Sequence, residues 1–178
     1  RLAEAMTSVL PPAALGMILL ALGAHHLYEW SHKDVVAGDL LLQKKSAWLN
    51  SGFFFVRTVL YVVIWTLLIR AIVAGSRSQD ADGQVRWTFR NVRLSAFFLV
   101  VFGVTFSAAS FDWIMSLDPH WFSTIYGLIF VVGQGISTWA FAIIFSNWLS
   151  KRTQFEYVMQ PGHFHDLGKL MFASVLLH

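Results

Sequence analysis

Long apolar runs separated by short polar connections dominate the chain. A helix that crosses a hydrocarbon core of about 30 Å needs roughly 20 mainly apolar residues. Four runs reach that length and a fifth is shorter: 6–30, 51–74, 94–115, 121–149 and the partial run 164–178. The pattern therefore predicts an all-α fold, a polytopic transmembrane helix bundle with four complete spans plus the start of a fifth, in one transmembrane domain.

The composition favours the same class of protein. Apolar residues make up 56% of the 178 residues and charged residues only 13%, and the mean hydropathy is +0.58. With 16 Phe and 8 Trp, a soluble core of this size would leave large apolar areas in water. The chain has no Cys, which excludes disulfides and thiolate iron–sulfur ligation within it. The partial last run and the start at Arg1 predict a fragment of a longer polypeptide.

The basic residues indicate an orientation in the membrane. Three lie in the 31–50 connection, whereas seven lie at the N-terminus and in the 75–93 and 150–163 connections. The seven are Arg1, Arg77, Arg86, Arg90, Arg93, Lys151 and Arg152. The positive-inside rule then predicts a cytoplasmic N-terminus, with the 31–50 loop and the 116–120 turn outside. Because the basic residues flank apolar runs and form no long stripe, membrane lipid is the predicted partner rather than nucleic acid.

Ionisable side chains gather at the predicted outer end of the first helix. His25, Glu29 and His32 are spaced i, i+4, i+7, so one helix face would carry all three, and the carboxylate would orient an imidazole. His26 belongs to the same group. An equally weighted alternative is that this end is interfacial, because His, Tyr and Trp are favoured at a membrane boundary.

The connection between the third and fourth predicted helices holds two further acids and a histidine. Asp112 ends an apolar run and must face protein or water. Asp118, followed by Pro119, is predicted to cap the next helix. Neither the solvation of Asp112 nor the capping role of Asp118 accounts for His120. A functional site shared by Asp112 and His120 therefore remains an open alternative.

Polar residues inside the apolar runs are the remaining candidates. Arg57 shares a face with Tyr61 and Trp65, and it would snorkel outward, pair with an outer acid such as Asp112, or hold a ligand carbonyl. Gln134 lies in the middle of the fourth run, where an amide usually joins helices, although it would also suit a deeper proton path. The chain has no phosphate-binding glycine loop, zinc-binding HExxH motif or nucleophile elbow, which excludes the common soluble-enzyme chemistries.

Three blocks of the sequence carry a family resemblance. They read HHLYEW at 25–30, SFDWIMSLDPHWFSTIYG at 110–127 and HFHDLGK at 163–169. The chain resembles the F subunit of bacterial alternative complex III, a polysulfide-reductase-like (NrfD-like) integral membrane subunit of a quinol:cytochrome c oxidoreductase. The likeness runs over essentially the whole chain, but family members have more spans than this chain supplies.

The resemblance implies a setting in the bacterial inner membrane. The implied partners are a homologous quinol-oxidising C subunit, iron–sulfur and multihaem cytochrome c subunits on the outer side, and a terminal cytochrome c oxidase. It also implies that the chain itself carries no haem or metal, while haem c and iron–sulfur clusters lie in the partners. Whether quinol or quinone binds to this chain is left open.

The leading hypothesis is a membrane subunit of a respiratory quinol:cytochrome c (or other acceptor) oxidoreductase, which supports quinol oxidation and proton conduction without a complete catalytic site of its own. Quinol oxidation releases protons, so bases are needed nearby. The candidates for the proton path or quinone site are His25, His26, Glu29, Arg57, Asp112, Asp118, His120 and Gln134. The alternatives are a non-catalytic scaffold that docks extrinsic cytochromes, a proton-coupled secondary transporter, and a haem-b anchor.

Overall fold

The structure, a computed structural model, describes residue 4 and residues 6–151 and 160–178. Arg1 and Arg152, which were counted for the predicted orientation, lie outside these residues. The chain divides into two compact units, Arg1–Ser123 and Thr124–His178. Across the residues described, the secondary structure is helical and contains no strand, so the predicted all-α class is confirmed.

The first unit holds six α-helices and the second holds two within the described ranges. The helices of the first unit are α1 (Leu10–Leu22), α2 (Ala24–Leu27), α3 (Lys33–Gly38), α4 (Leu40–Lys45), α5 (Ser51–Asp82) and α6 (Arg86–Trp113). Short 3-10 turns at Thr7–Val9, Glu29–Ser31 and Met115–Leu117 accompany them. The second unit contains α7 (Tyr126–Ser150) and α8 (Pro161–Leu177).

Three helices in the described part of the chain are long and apolar enough to cross a membrane. They are α5, α6 with its following 3-10 turn, and α7. The first predicted span differs, because its apolar helix covers only Thr7–Leu22 and is followed by separate short turns. The backbone leaves the helix at Tyr28, where φ is −115° and ψ is 120°. The fourth predicted span begins at Tyr126, five residues later than expected.

The first unit is built around an antiparallel hairpin of α5 and α6. Gly83 joins the two helices with a φ of +67°, a conformation that glycine adopts without steric cost, and its N–H caps α5 by donating to Gln79 O at 2.8 Å. Two side-chain contacts fix the register: Trp65 Nε1 donates to Thr105 Oγ1 at 2.8 Å, and Asn91 Nδ2 donates to Ile72 O at 3.1 Å.

One side of α6 faces the interior. Ala109 and Asp112 are fully buried, Ser116 in the following turn is 5% exposed, and Thr105 accepts the bond from Trp65. These residues recur every three or four positions, so a helix places them along one side. The prediction that Asp112 faces protein is therefore confirmed.

The segment 24–50 folds over the end of this hairpin. Tyr28 and Trp30 are buried, and their polar atoms bond to carbonyls at the end of α6: Tyr28 Oη donates to Trp113 O at 2.8 Å, and Trp30 Nε1 donates to Ser116 O at 3.0 Å. Phe54 at the start of α5 packs in the same apolar cluster. The aromatic residues that the interfacial alternative placed at a membrane boundary therefore lie inside the protein.

The second unit is a helix pair. α8 begins at Pro161 behind a capping box, in which the Gln160 side chain accepts from the backbone N–H of His163 and the His163 ring accepts from the Gln160 N–H at 3.2 Å. Lys169 Nζ donates to Asp166 Oδ1 at 3.2 Å. Both side chains are exposed, so this pair contributes little to stability.

Candidate functional site

Four side chains, three of them buried, form a polar group at the end of the hairpin where the 24–50 segment packs. Arg57 bonds both carboxylate oxygens of Asp112, with Nε–Oδ2 at 2.8 Å and Nη2–Oδ1 at 2.9 Å. Tyr61 Oη donates to Oδ2 at 2.9 Å, and Trp48 Nε1 donates to Oδ1 at 2.8 Å. We call Trp48, Arg57, Tyr61 and Asp112 the Asp112 cluster.

The Arg57 guanidinium is enclosed as fully as the carboxylate. Its remaining nitrogen, Nη1, donates to Trp48 O at 3.0 Å. The guanidinium carbon lies 4.2 Å from the centroid of the Trp48 ring and 4.3 Å from that of Phe53, so aromatic faces stack on the cation. Arg57 is 4% exposed and Asp112 is fully buried. Of the three roles predicted for Arg57, pairing with Asp112 is the one observed.

Local structure explains how the cluster is assembled. Asn50 caps α5 by accepting from Phe53 N at 2.9 Å, which turns the chain immediately after Trp48. One and two helical turns further on, the i, i+4 spacing places Arg57 and Tyr61 on the face that meets α6. In the turn after α6, Ser116 Oγ donates to the backbone carbonyl of Asp112. The cluster thus connects the 24–50 segment, α5 and α6.

The cluster is arranged to hold its groups in place rather than to exchange a proton. The two oxygens of Asp112 accept four hydrogen bonds, which occupy about all the lone-pair sites of a carboxylate. No lone-pair site of the carboxylate is left for a further donor. Bidentate pairing with arginine also fixes the carboxylate in direction. We therefore interpret Asp112 and Arg57 as positioning residues.

An apolar cavity of about 310 Å³ adjoins the cluster. Four of its nine lining residues are aromatic: Trp48, Phe111, Trp121 and Phe122. Met115 also lines it. Small-molecule pockets range from about 300 to 1,000 Å³, so this cavity is at the small end of that range. Trp48 belongs to both the cavity and the Asp112 cluster, and the cluster therefore fixes one cavity wall.

His120 pairs with Asp39 and not with Asp112, the partner considered from the sequence. Its Nε2 lies 2.5 Å from Oδ2 of Asp39, which also caps α4 by accepting from Leu41 N at 2.7 Å and Leu42 N at 3.2 Å. Partial burial works to raise the pKa of Asp39, but the Leu42 and Leu41 amides and the His120 imidazole together hold it below its usual value. The shared site of Asp112 and His120 is therefore wrong, because each is bound to another partner.

Asp118 does not cap a helix, so that prediction is wrong. Its Oδ1 accepts from the backbone N–H of His120 at 3.2 Å and closes a local turn. The next helix begins only at Tyr126, too far along the chain for Asp118 to reach its first amides. The neighbouring Pro119 is held from the other side, because Lys45 Nζ donates to its carbonyl at 2.5 Å.

The expected face of His25, Glu29 and His32 is also wrong, because the helix ends before Glu29. The His25 and His32 rings nevertheless meet, with centroids 4.1 Å apart, and Ser31 Oγ lies within 3.4 Å of both Nδ1 atoms. The His26 ring packs edge-on at 5.9 Å from His25. The Glu29 carboxylate is exposed and makes no ion pair or hydrogen bond in the described part of the chain, so it does not orient an imidazole.

Gln134 lies in the second unit, on α7. It lines a small open cavity together with Phe130, Gly133 and His178. Its side chain is exposed and bonds to no other helix among the residues described, so the interhelical role is not seen within this chain.

The sequence missed Trp48, the residue that joins the cluster to the cavity. It precedes α5 in an irregular segment, where no helical period links it to Arg57 or Asp112. Over the ranges described, no group of three or more His, Cys, Asp or Glu side chains is placed to hold a metal ion.

Comparison with known proteins leaves the family unassigned. No family model matches the chain, and no match is found among the curated proteins. The resemblance given by the three sequence blocks therefore stays a prediction.

Proposed function

We propose that the chain is a membrane subunit of a respiratory quinol:cytochrome c, or other acceptor, oxidoreductase. In this proposal it lies in the bacterial inner membrane with the 31–50 loop and the 116–120 turn outside. Electrons pass to the iron–sulfur clusters and haem c of partner subunits beside a homologous C subunit. The three apolar helices and the three family-like blocks support the assignment.

The observation that carries the proposal is the aromatic cavity held by the Asp112 cluster. A quinol head is a planar ring, and aromatic walls such as Trp48 and Phe111 suit it by stacking and edge contacts. Because Trp48 is bonded to Asp112, the wall is fixed before the ring arrives, which lowers the cost of ordering on binding.

Protons from the quinol need an acceptor near water. His120 follows Pro119 of the cavity wall directly in the chain, and its side chain is 55% exposed and paired with Asp39. An imidazole can accept a proton on a ring nitrogen, so His120 is the proposed first acceptor. The exposed pair of His25 and His32 would release protons to the outside. Asp112 and Arg57 keep the cavity in shape.

The test is made on the complex purified in mild detergent. We expect cytochrome and iron–sulfur subunits to copurify and quinol to reduce cytochrome c. Filling the cavity with Met115→Trp should raise the KM for quinol by about fivefold or more without loss of assembly. Ile114→Trp is the matched control, because Ile114 is exposed and does not line the cavity. Purification without redox partners, or equal KM values for the two variants, would overturn the proposal.

A non-catalytic scaffold is the second candidate, and the cluster's bonding favours it too. The Asp112 cluster connects the 24–50 segment to the hairpin, and so do the hydrogen bonds of Tyr28 and Trp30. A docking platform requires such a fixed segment. His25 and Glu29 are exposed on that segment. If alanine at both positions lowers assembly but leaves turnover per assembled complex intact, and Met115→Trp leaves KM unchanged, the scaffold function is the correct one.

A further inference from the structure

A second groove lies toward the other end of the α5–α6 hairpin, near the 83–85 turn. Its volume is about 710 Å³. Ala71 contributes one wall from α5. The rest of the lining comes from the first turns of α6: Arg86, Phe89, Arg90, Arg93, Leu94 and Phe97. Neither the Asp112 cluster nor the cavity beside it includes any of these residues.

The three arginines of the groove form one cationic face. They are spaced i, i+4, i+7 along α6, so they share a side of the helix and extend over about 10 Å at 1.5 Å per residue. The positive end of the helix dipole adds to their charge, because α6 begins at Arg86. An anion at this position would meet side-chain cations and the first backbone amides together.

The acid that precedes the groove, Asp82, is already occupied. Asp82 accepts from Trp87 Nε1 at 2.8 Å and from Gln84 N at 3.0 Å, and it pairs with Arg86 at 3.4 Å. Arg90 and Arg93 make no ion pair within the residues that the structure describes, although the Arg90 guanidinium carbon lies 5.3 Å from the centroid of the Trp87 ring. Among the residues that the structure describes, these two guanidinium groups therefore have no anionic partner.

Apolar surface continues from the cationic face along the helix. Phe89 is 64% exposed and Phe97 is 58% exposed, although both are large hydrophobic residues. Leu94 and Phe97 follow the arginines in the direction that leads into the apolar length of α6. The groove thus passes from cationic to apolar, which is the order of phosphate and acyl chain in a phospholipid.

We propose that this groove binds an anionic glycerophospholipid. The phosphate bonds to Arg90 and Arg93, and an acyl chain lies along Leu94, Phe97 and Ala71. Basic pockets between helices at the membrane surface bind lipid headgroups in this way. The inference requires only that the α5–α6 hairpin lies in a membrane, and it does not depend on quinol oxidation.

The experiment compares the lipid retained by the purified protein, with any subunits that copurify, in three forms. These are the wild type, the Arg90→Gln/Arg93→Gln variant, and Arg77→Gln, an exposed α5 arginine that does not line the groove. After reconstitution in equal parts phosphatidylglycerol and phosphatidylcholine and return to detergent, bound lipid is quantified by native mass spectrometry. We expect phosphatidylglycerol retention to fall by about tenfold in the double variant and to stay unchanged in Arg77→Gln.

Two further measurements are needed. The first distinguishes a lipid phosphate from free inorganic phosphate as the ligand, and the second tests whether the loss of lipid results from misfolding of the variant. Thermal stability of the wild type should rise with added phosphatidylglycerol but not with inorganic phosphate. Arg90→Lys/Arg93→Lys keeps the charge and should retain more lipid than the glutamine variant. Equal retention in all forms, equal loss in Arg77→Gln, or equal protection by inorganic phosphate would overturn the lipid site. If the glutamine pair does not assemble, single Arg90→Gln is compared with Arg77→Gln by the same criterion.

Discussion

Arg57 holds Asp112 through two parallel hydrogen bonds, at 2.8 and 2.9 Å, in a position where both side chains are cut off from solvent. The pair joins α5 to α6, and Trp48 adds the 24–50 segment to it. Any change to one member therefore affects three parts of the first unit at once.

Replacing Asp112 with Asn should destabilise the protein strongly. The variant leaves the Arg57 charge buried without a counter-charge, and breaking a buried pair from one side costs about 3–5 kcal/mol. The free energy of unfolding in mixed micelles measures the loss. Asp34→Asn, at an exposed acid on α3, is the control and should leave it unchanged.

A double variant tests whether the lone charge is the cause. Asp112→Leu combined with Arg57→Met removes both charges and should be less destabilised than Asp112→Asn alone. If the double variant is the less stable of the two, the hydrogen bonds from Tyr61 and Trp48 carry the stability instead of the charge pair.

The bond between Trp65 and Thr105 gives a second prediction. Thr105→Val removes the acceptor and leaves a mostly buried indole N–H without a partner, at a cost of about 1–3 kcal/mol. Thr105→Ser retains the hydroxyl and should lose less stability. Equal unfolding free energies for the two variants would show that the Trp65 N–H finds another acceptor.

Gly75 marks the closest approach in the hairpin. A Cβ at this position would overlap the Asn91 carboxamide, which is held by its bond to Ile72 O. Gly75→Ala should therefore cost about 1–3 kcal/mol through overpacking. Gly103 has open space on its Cβ side, so Gly103→Ala is the matched control and should not destabilise the chain. The same loss in both variants would show that the contact with Asn91 is not the cause, because Gly→Ala within a helix otherwise adds stability.

The sequence predicted the parts of the site that depend on helical periodicity. Arg57, Tyr61 and Trp65 were placed on one face because residues four apart on a helix point the same way. Asp112 was expected to face protein or water because a carboxylate at the end of an apolar run is costly in lipid. Both expectations are confirmed, since they depend only on local geometry and solvation.

Helical periodicity and solvation could not predict contacts between parts of the chain that are distant in sequence. The helix ends before Tyr28 so that Tyr28 and Trp30 can donate to carbonyls at Trp113 and Ser116, some 85 residues away. Asp39 and His120 are 81 residues apart and meet only because two loops pack together. No periodic signal in either loop specifies its partner, so the residues were recognised but their pairing was not.

Acid should loosen the contact between these two loops. The pKa of Asp39 is lower in the folded protein than in the unfolded chain, where it has its usual value of about 3.9. A lowered carboxyl pKa adds stability above the usual value, and this stability is lost as the pH falls through the folded pKa. Asp39→Asn removes the titrating group, and asparagine still caps α4.

Thermal stability from pH 7 down to about pH 3 tests this expectation. The wild type should lose stability more steeply in acid than Asp39→Asn, and His120→Gln should fall between them, because the Leu41 and Leu42 amides still lower the pKa of Asp39. Parallel curves for the wild type and Asp39→Asn would mean that the pair with His120 does not couple to folding. A curve for His120→Gln that matches Asp39→Asn would assign the whole effect to the imidazole.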